Sequence, residues 1–184
     1  MTNRNSLRSL AGAAAVAAVL FVTPAFAQQT ATPTTAAQPV SIQTALANDV
    51  GTLSDKFTGL AKVMAGKYDW RPGQGVRSVS EVFNLIVAEN KMLSALLTGA
   101  QPGPRGNPIA DPAALQEALT SSYAALKTAV AGLSDADLKA PVKMFGRDMT
   151  KQGAALLLIM DQHEHLGQSI AYARSNGVVP PWSK

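Results

Sequence analysis

The residues with most chemistry to offer crowd into one short stretch: Asp161, His163 and His165. On a continuous helix the two histidines, two positions apart, point about 200° from one another and cannot share an ion. Asp161 and His165 differ: four apart, they lie one turn apart on one face, where both reach a common ion. Carboxylate and imidazole are ordinary zinc ligands, but a catalytic site uses three protein ligands and keeps a position for water. There is no cysteine, and both histidines share one helix, so no nucleophile–base arrangement is visible. Gly73 to Gly75 lacks the Lys-Ser/Thr ending and preceding strand of a phosphate loop.

His163 falls with Leu156, Ile159, Met160 and Ile170, which reads as a packed or hydrogen-bonded histidine. His165 shares its face with Leu157, Leu158, Asp161, Gln168 and Tyr172. Two readings fit: a pocket with convergent polar groups, or an Asp–His hydrogen bond that pins the helix. Tyr68, Trp70 and Trp182 read as packing anchors, and Tyr172 as an interface tyrosine. Arg77 and Arg174 are expected to pair with acids near helix ends.

The elements that position these groups are helices. Ile42, Leu46, Val50, Leu53, Phe57, Leu60 and Met64 recur at steps of three and four, one stripe of an amphipathic helix ending at Gly66. Ser78-Val79-Ser80-Glu81 is a capping box that opens a second helix to about Leu97. Its apolar side carries Val82, Leu85, Ile86, Met92, Leu93 and Leu96. Asp111-Pro112 is an N-cap with proline at the first helical position, and the third helix uses Leu115, Leu119, Leu126, Val130 and Leu133. Ser134 to Asp137 caps a short helical turn, and Val142 to Asp148 is an irregular or extended connector. Thr150 caps the last helix, which runs through Arg174 and stops at Asn176-Gly177. Four long helices near 41–65, 78–97, 112–132 and 150–175, without a convincing strand pattern, predict an all-α four-helix bundle.

Residues 1–27 read as a signal peptide. Arg4 and Arg8 precede the apolar run Leu10 to Val22, and Ala25-Phe26-Ala27 offers a small-x-small cleavage site. The run is too short for a bilayer span of about 20 residues. Residues 28–40, rich in Gln, Thr, Ala and Pro, read as a disordered tether, and 41–184 as one domain. Cleavage takes two of the sixteen basic residues, so the formal charge falls from +4 to +2. Nothing there marks a nucleic-acid binder. The expected location is periplasmic or secreted, without a stable membrane anchor.

Two segments resemble the DinB-like family of four-helix bundles, which includes thiol S-transferases and maleylpyruvate isomerase-like proteins. One is Tyr68-x-Trp70-x-Pro72 leading to Arg77-Ser78. The other is His165-Leu166-Gly167-Gln168 with Ile170-Ala171-Tyr172-Ala173-Arg174. The tail Asn176 to Ser183 looks like that of an exported subgroup. The resemblance implies a divalent metal held by three histidines, one on the second helix and two four apart on the fourth. His165 matches the last of these, Asp161 stands where the family has histidine, and the helix-two position falls at or beside Leu85. Glu89, four residues after Leu85 on a similar face, is an alternative candidate, but its place about 6 Å further along the axis counts against it.

That pattern leaves two function classes. The first is a non-catalytic scaffold for a small molecule or an envelope protein, with a degenerate metal site at Asp161 and His165. The second is a divalent-metal-dependent transferase or hydrolase-like enzyme. The ligand losses favour the first, with no tightly held cofactor expected. A homodimer is compatible with either.

Overall fold

The computed structural model describes residues 40–183. The expected signal peptide and nearly all of the tether lie outside the described residues. Helix α1 (Ile42–Val63) is capped by Ser41, whose hydroxyl accepts the Thr44 amide at 3.2 Å. Helix α2 (Val79–Thr98) opens on the capping box: Ser78 Oγ accepts the Glu81 amide and Glu81 accepts the Ser78 amide at 2.6 Å. Helix α3 (Pro112–Ala131) starts behind Asp111, which accepts the Ala114 amide at 2.7 Å. Helix α5 (Lys151–Ser175) starts behind Thr150, which accepts the Gly153 amide at 3.0 Å. Each cap satisfies an otherwise orphaned N–H and is worth about 1 kcal/mol. Between α3 and α5 lie the short helix α4 (Asp135–Lys139), capped by Ser134, and a hairpin, β1 (Pro141–Met144) with β2 (Arg147–Thr150).

Each of α1 and α2 packs against both α3 and α5, which places α1 and α2 on a diagonal of the bundle. Aromatic rings fill that diagonal. Phe57 of α1 meets Phe83 of α2 edge-on at 6.3 Å and stacks on Tyr123 of α3 at 6.1 Å. Tyr68 closes one end against Phe83 at 5.7 Å and donates its hydroxyl to the Ala61 carbonyl. Each fully buried ring of this size contributes about 2–3 kcal/mol. Among the described residues, no helix is long and apolar enough to cross a membrane.

The expected four long helices are present with ends within a few residues of those expected. Several finer readings need correction. The 142–148 connector belongs to an antiparallel hairpin, with Val142 opposite Met149 and Met144 opposite Arg147. Its turn places Phe145 at φ 51° and Gly146 at φ 75°, the paired left-handed geometry that suits strand twist. Strands of four residues are too short for alternation to announce them. The first helix ends at Val63, followed by a single 3-10 turn, Ala65–Lys67, that contains Gly66. Ile42 lies exposed at the start of α1, while Leu85, Met92 and Leu96 are only half-buried because they sit at the edge of the α2 stripe. Trp182 is exposed, with the Lys56 ammonium 5.7 Å from its ring.

Candidate metal centre

Helices α2 and α5 meet through a hydrogen bond in the core: Gln162 Nε2 donates to Asn90 Oδ1 at 2.8 Å, with both residues wholly buried. That contact fixes the register of the two helices. The residues immediately before them, Glu89 and Asp161, are thereby brought together at the bundle's edge. His165, one turn after Asp161, completes the group. One ligand atom from each of Glu89, Asp161 and His165 lies within 4.8 Å of the others. The sequence spacing made Asp161 and His165 a two-ligand pair. The structure adds Glu89, because the helix crossing places the site a turn along α2 from Leu85.

The three groups are held in different ways. His165 Nε2 is 3.5 Å from Asp161 Oδ2, and its other nitrogen, Nδ1, is 2.9 Å from Gln168 Oε1. Gln168 Nε2 donates to the Tyr172 hydroxyl at 2.8 Å, and that hydroxyl donates to the Arg77 carbonyl at 3.1 Å. A backbone carbonyl can only accept. The direction of every bond in the chain follows from that end. Tyr172 donates to Arg77, so it accepts from the Gln168 amide, which leaves Gln168 Oε1 to accept from His165 Nδ1–H. In neutral His165 the Nε2 lone pair is therefore bare and faces the Asp161 carboxylate. At 3.5 Å the two groups are too far apart for a good hydrogen bond, and the space between them can take a cation. Trp70 packs edge-on against Tyr172 at 5.2 Å and fixes the ring at the far end of the chain.

Glu89 makes the same point independently. It is 8% exposed, and its Oε2 is buried without a hydrogen-bond partner. Burial pushes its carboxyl up to about 8, the Asp161 carboxylate adds to the rise by its charge and by a hydrogen bond to the protonated form, and the Arg105 and Arg77 guanidiniums pull the other way. An orphaned buried carboxylate is costly unless a proton or metal neutralises it. Two carboxylates and one imidazole suit a divalent first-row cation, with the carboxylates offsetting its charge. By donor type, number and burial, these residues fit a metal.

The other singled-out residues lie elsewhere. His163 is exposed and bonds the Asp49 carboxylate of α1 at 2.9 Å; its neighbours Leu156 and Met160 are exposed too, so it is a hydrogen-bonded rather than a packed histidine. Among the described residues neither Arg77 nor Arg174 pairs with an acid. The helical spacing placed Gln168 and Tyr172 on the His165 face; what it did not show is that the chain they form ends on the Arg77 carbonyl.

Comparison with known proteins agrees with this architecture. No curated protein matches the chain. A DinB-like protein from Bacillus subtilis is 17% identical with a TM-score of 0.62; the match covers 72% of this chain and 92% of that one. A DinB-like protein from Bacillus cereus is also 17% identical, at a TM-score of 0.65, covering 76% and 95%. At such identity the likeness concerns the fold. The DinB superfamily profile matches residues 54–169, which run from mid-α1 past His165. With profile, helix order and bundle in agreement, the chain belongs to the DinB superfamily.

Proposed function

We propose that this chain is an exported bundle whose Glu89–Asp161–His165 centre holds a divalent cation and acts on a small molecule, as a metal-dependent transferase or hydrolase-like enzyme. The observation that carries this reading is the grouping of Glu89, Asp161 and His165 within 4.8 Å, with a buried Glu89 oxygen that has no hydrogen-bond partner. The scaffold reading rested on a two-ligand remnant; a third donor removes that ground. Three protein donors leave coordination positions for water or substrate, which is the arrangement of catalytic sites. A bound cation would supply Lewis acidity and a more acidic water. The protein's own contribution is orientation. The Arg77–Tyr172–Gln168 chain holds the imidazole with Nε2 toward the site, the role of outer partners in metal centres. A cavity of about 400 Å³ lined by Glu89, Leu85, Met92 and Phe145 gives a ligand access from the α2 side.

Export rests on Arg4, Arg8, the apolar run and Ala25-Phe26-Ala27. N-terminal sequencing of the periplasmic protein should begin at Gln28, and intact Met1 in membranes would refute it. For the centre, zinc, manganese or nickel added to EDTA-dialysed protein should raise Tm, as any ligand of the native state alone must. Glu89→Gln should abolish that rise. Gln168→Leu should keep it but weaken affinity by roughly 10–100-fold. Wild-type protein indifferent to all three metals would sink the reading.

A further inference from the structure

A second cavity, of about 540 Å³, lies along α2 beside the first. Its wall includes four cations, Arg71, Arg77, Lys91 and Arg105, and one acid, Glu81. Glu81 is already engaged: it caps α2 through the Ser78 amide and sits 3.4 Å from the Arg71 guanidinium. Arg77, Lys91 and Arg105 pair with no acid among the described residues. Three like charges gathered on one concave surface repel each other, and low-dielectric walls focus their field into the space between them.

The walls are fixed. Asn84 clamps the loop before α3 by donating to the Ile109 carbonyl at 3.1 Å and accepting the Ile109 amide at 2.7 Å. Arg71 ties the opposite loop by donating to the Val76 carbonyl. The two cavities share Ala88, Lys91, Arg105 and Gly106, so one ligand can occupy both. The first cavity has a different character: Leu85, Met92 and Phe145 make its wall apolar, and Glu89 lies on it. Phe145 is 62% exposed and holds a left-handed backbone at φ 51°. A side chain that gains little burial and adopts a backbone disfavoured for its type is evidence of another use.

We propose that Arg77, Lys91 and Arg105 form the headgroup site for a small organic anion, a carboxylate or phosphate. Its apolar body lies against Leu85, Met92 and Phe145 and reaches the Glu89 edge of the metal centre. This deepens the proposed function and rests on it for where the far end of the ligand goes. Anion capture itself needs no metal, so the two readings can fail separately.

Calorimetry on EDTA-dialysed mature protein tests it, with phenylbutyrate, phenyl phosphate and the uncharged phenylbutyramide as probes. Both anions should bind once per chain, and the amide roughly 10–100-fold more weakly, the span of a charge-assisted contact. Arg105→Gln and Lys91→Gln should weaken the anions and leave the amide unchanged. Phe145→Ser should weaken all three alike. These positions are exposed, and circular dichroism would check that the variants fold. Equal affinity for acid and amide, or anion binding indifferent to Arg105 and Lys91, overturns the headgroup site. Indifference to Phe145→Ser overturns the placement of the apolar body. Zinc titration of the same preparations separates the cases: zinc binding without anion binding overturns the anion site and spares the metal centre, whereas anion binding without zinc binding does the reverse.

Discussion

Two polar clusters sit side by side between α2 and α5, and their difference separates scaffold from site. In the core, Tyr123 donates to Gln162 at 3.0 Å, Gln162 to Asn90 at 2.8 Å, Asn90 to Ser122 at 3.2 Å, and Ser122 to the Leu119 carbonyl. All four side chains are buried, and no atom in this chain of bonds is left without a partner. One residue earlier on each helix, Glu89 and Asp161 face His165 with a buried oxygen unsatisfied. A closed network specifies a unique packing. An open one leaves a buried oxygen whose cost a proton or a cation can offset. The same helix crossing makes both.

The largest effect should come from opening the closed cluster. Gln162→Leu strands the Tyr123 hydroxyl and the Asn90 carbonyl oxygen in the core, and should cost about 2–5 kcal/mol in urea unfolding. A variant that unfolds at the wild-type midpoint would show that the network does not hold the bundle.

The open cluster should behave in the opposite sense in metal-free protein. The Glu89 carboxyl sits at about 8 in the fold against an ordinary 4.5. Between those values the native state holds a proton that the unfolded chain has released. Unfolding free energy therefore falls as pH rises from about 5 to about 8 and levels off above. Glu89→Gln removes the titrating group and should flatten that profile. A wild-type profile already flat over this window would mean that Glu89 finds a partner after all.

The smallest effect sharpens the comparison at the ligand side. Asn tolerates the left-handed turn position of Phe145 better than an aromatic does. Phe145→Asn should therefore raise stability by about 0.5–1 kcal/mol in thermal melts. A loss of stability instead would make Phe145 a packing residue of the hairpin.

Much of this molecule was legible as sequence. The stripe through Leu46, Val50, Leu53, Phe57 and Leu60 is wholly buried, and Ser78, Asp111, Ser134 and Thr150 cap the helices they were expected to cap. These signals are local: a stripe or a cap is complete within a few residues of chain. The hairpin was less legible, since Phe145 is an unusual residue for its turn.

The site divides along the same line. Asp161 and His165 share a helix, so their spacing alone placed them on one face. Glu89 could not be placed that way. Counted from Leu85 it lies a turn too far along, and what brings it to Asp161 is the crossing of α2 and α5 set by Asn90 and Gln162, 72 positions apart. The tautomer of His165 likewise follows from Arg77, whose carbonyl lies on another loop, 95 positions from Tyr172. Sequence determined the helices, their caps and the family, because those depend on neighbours along the chain. Tertiary structure decided the third ligand, the bare imidazole nitrogen and the cationic cavity, because each requires groups that meet only when helices pack.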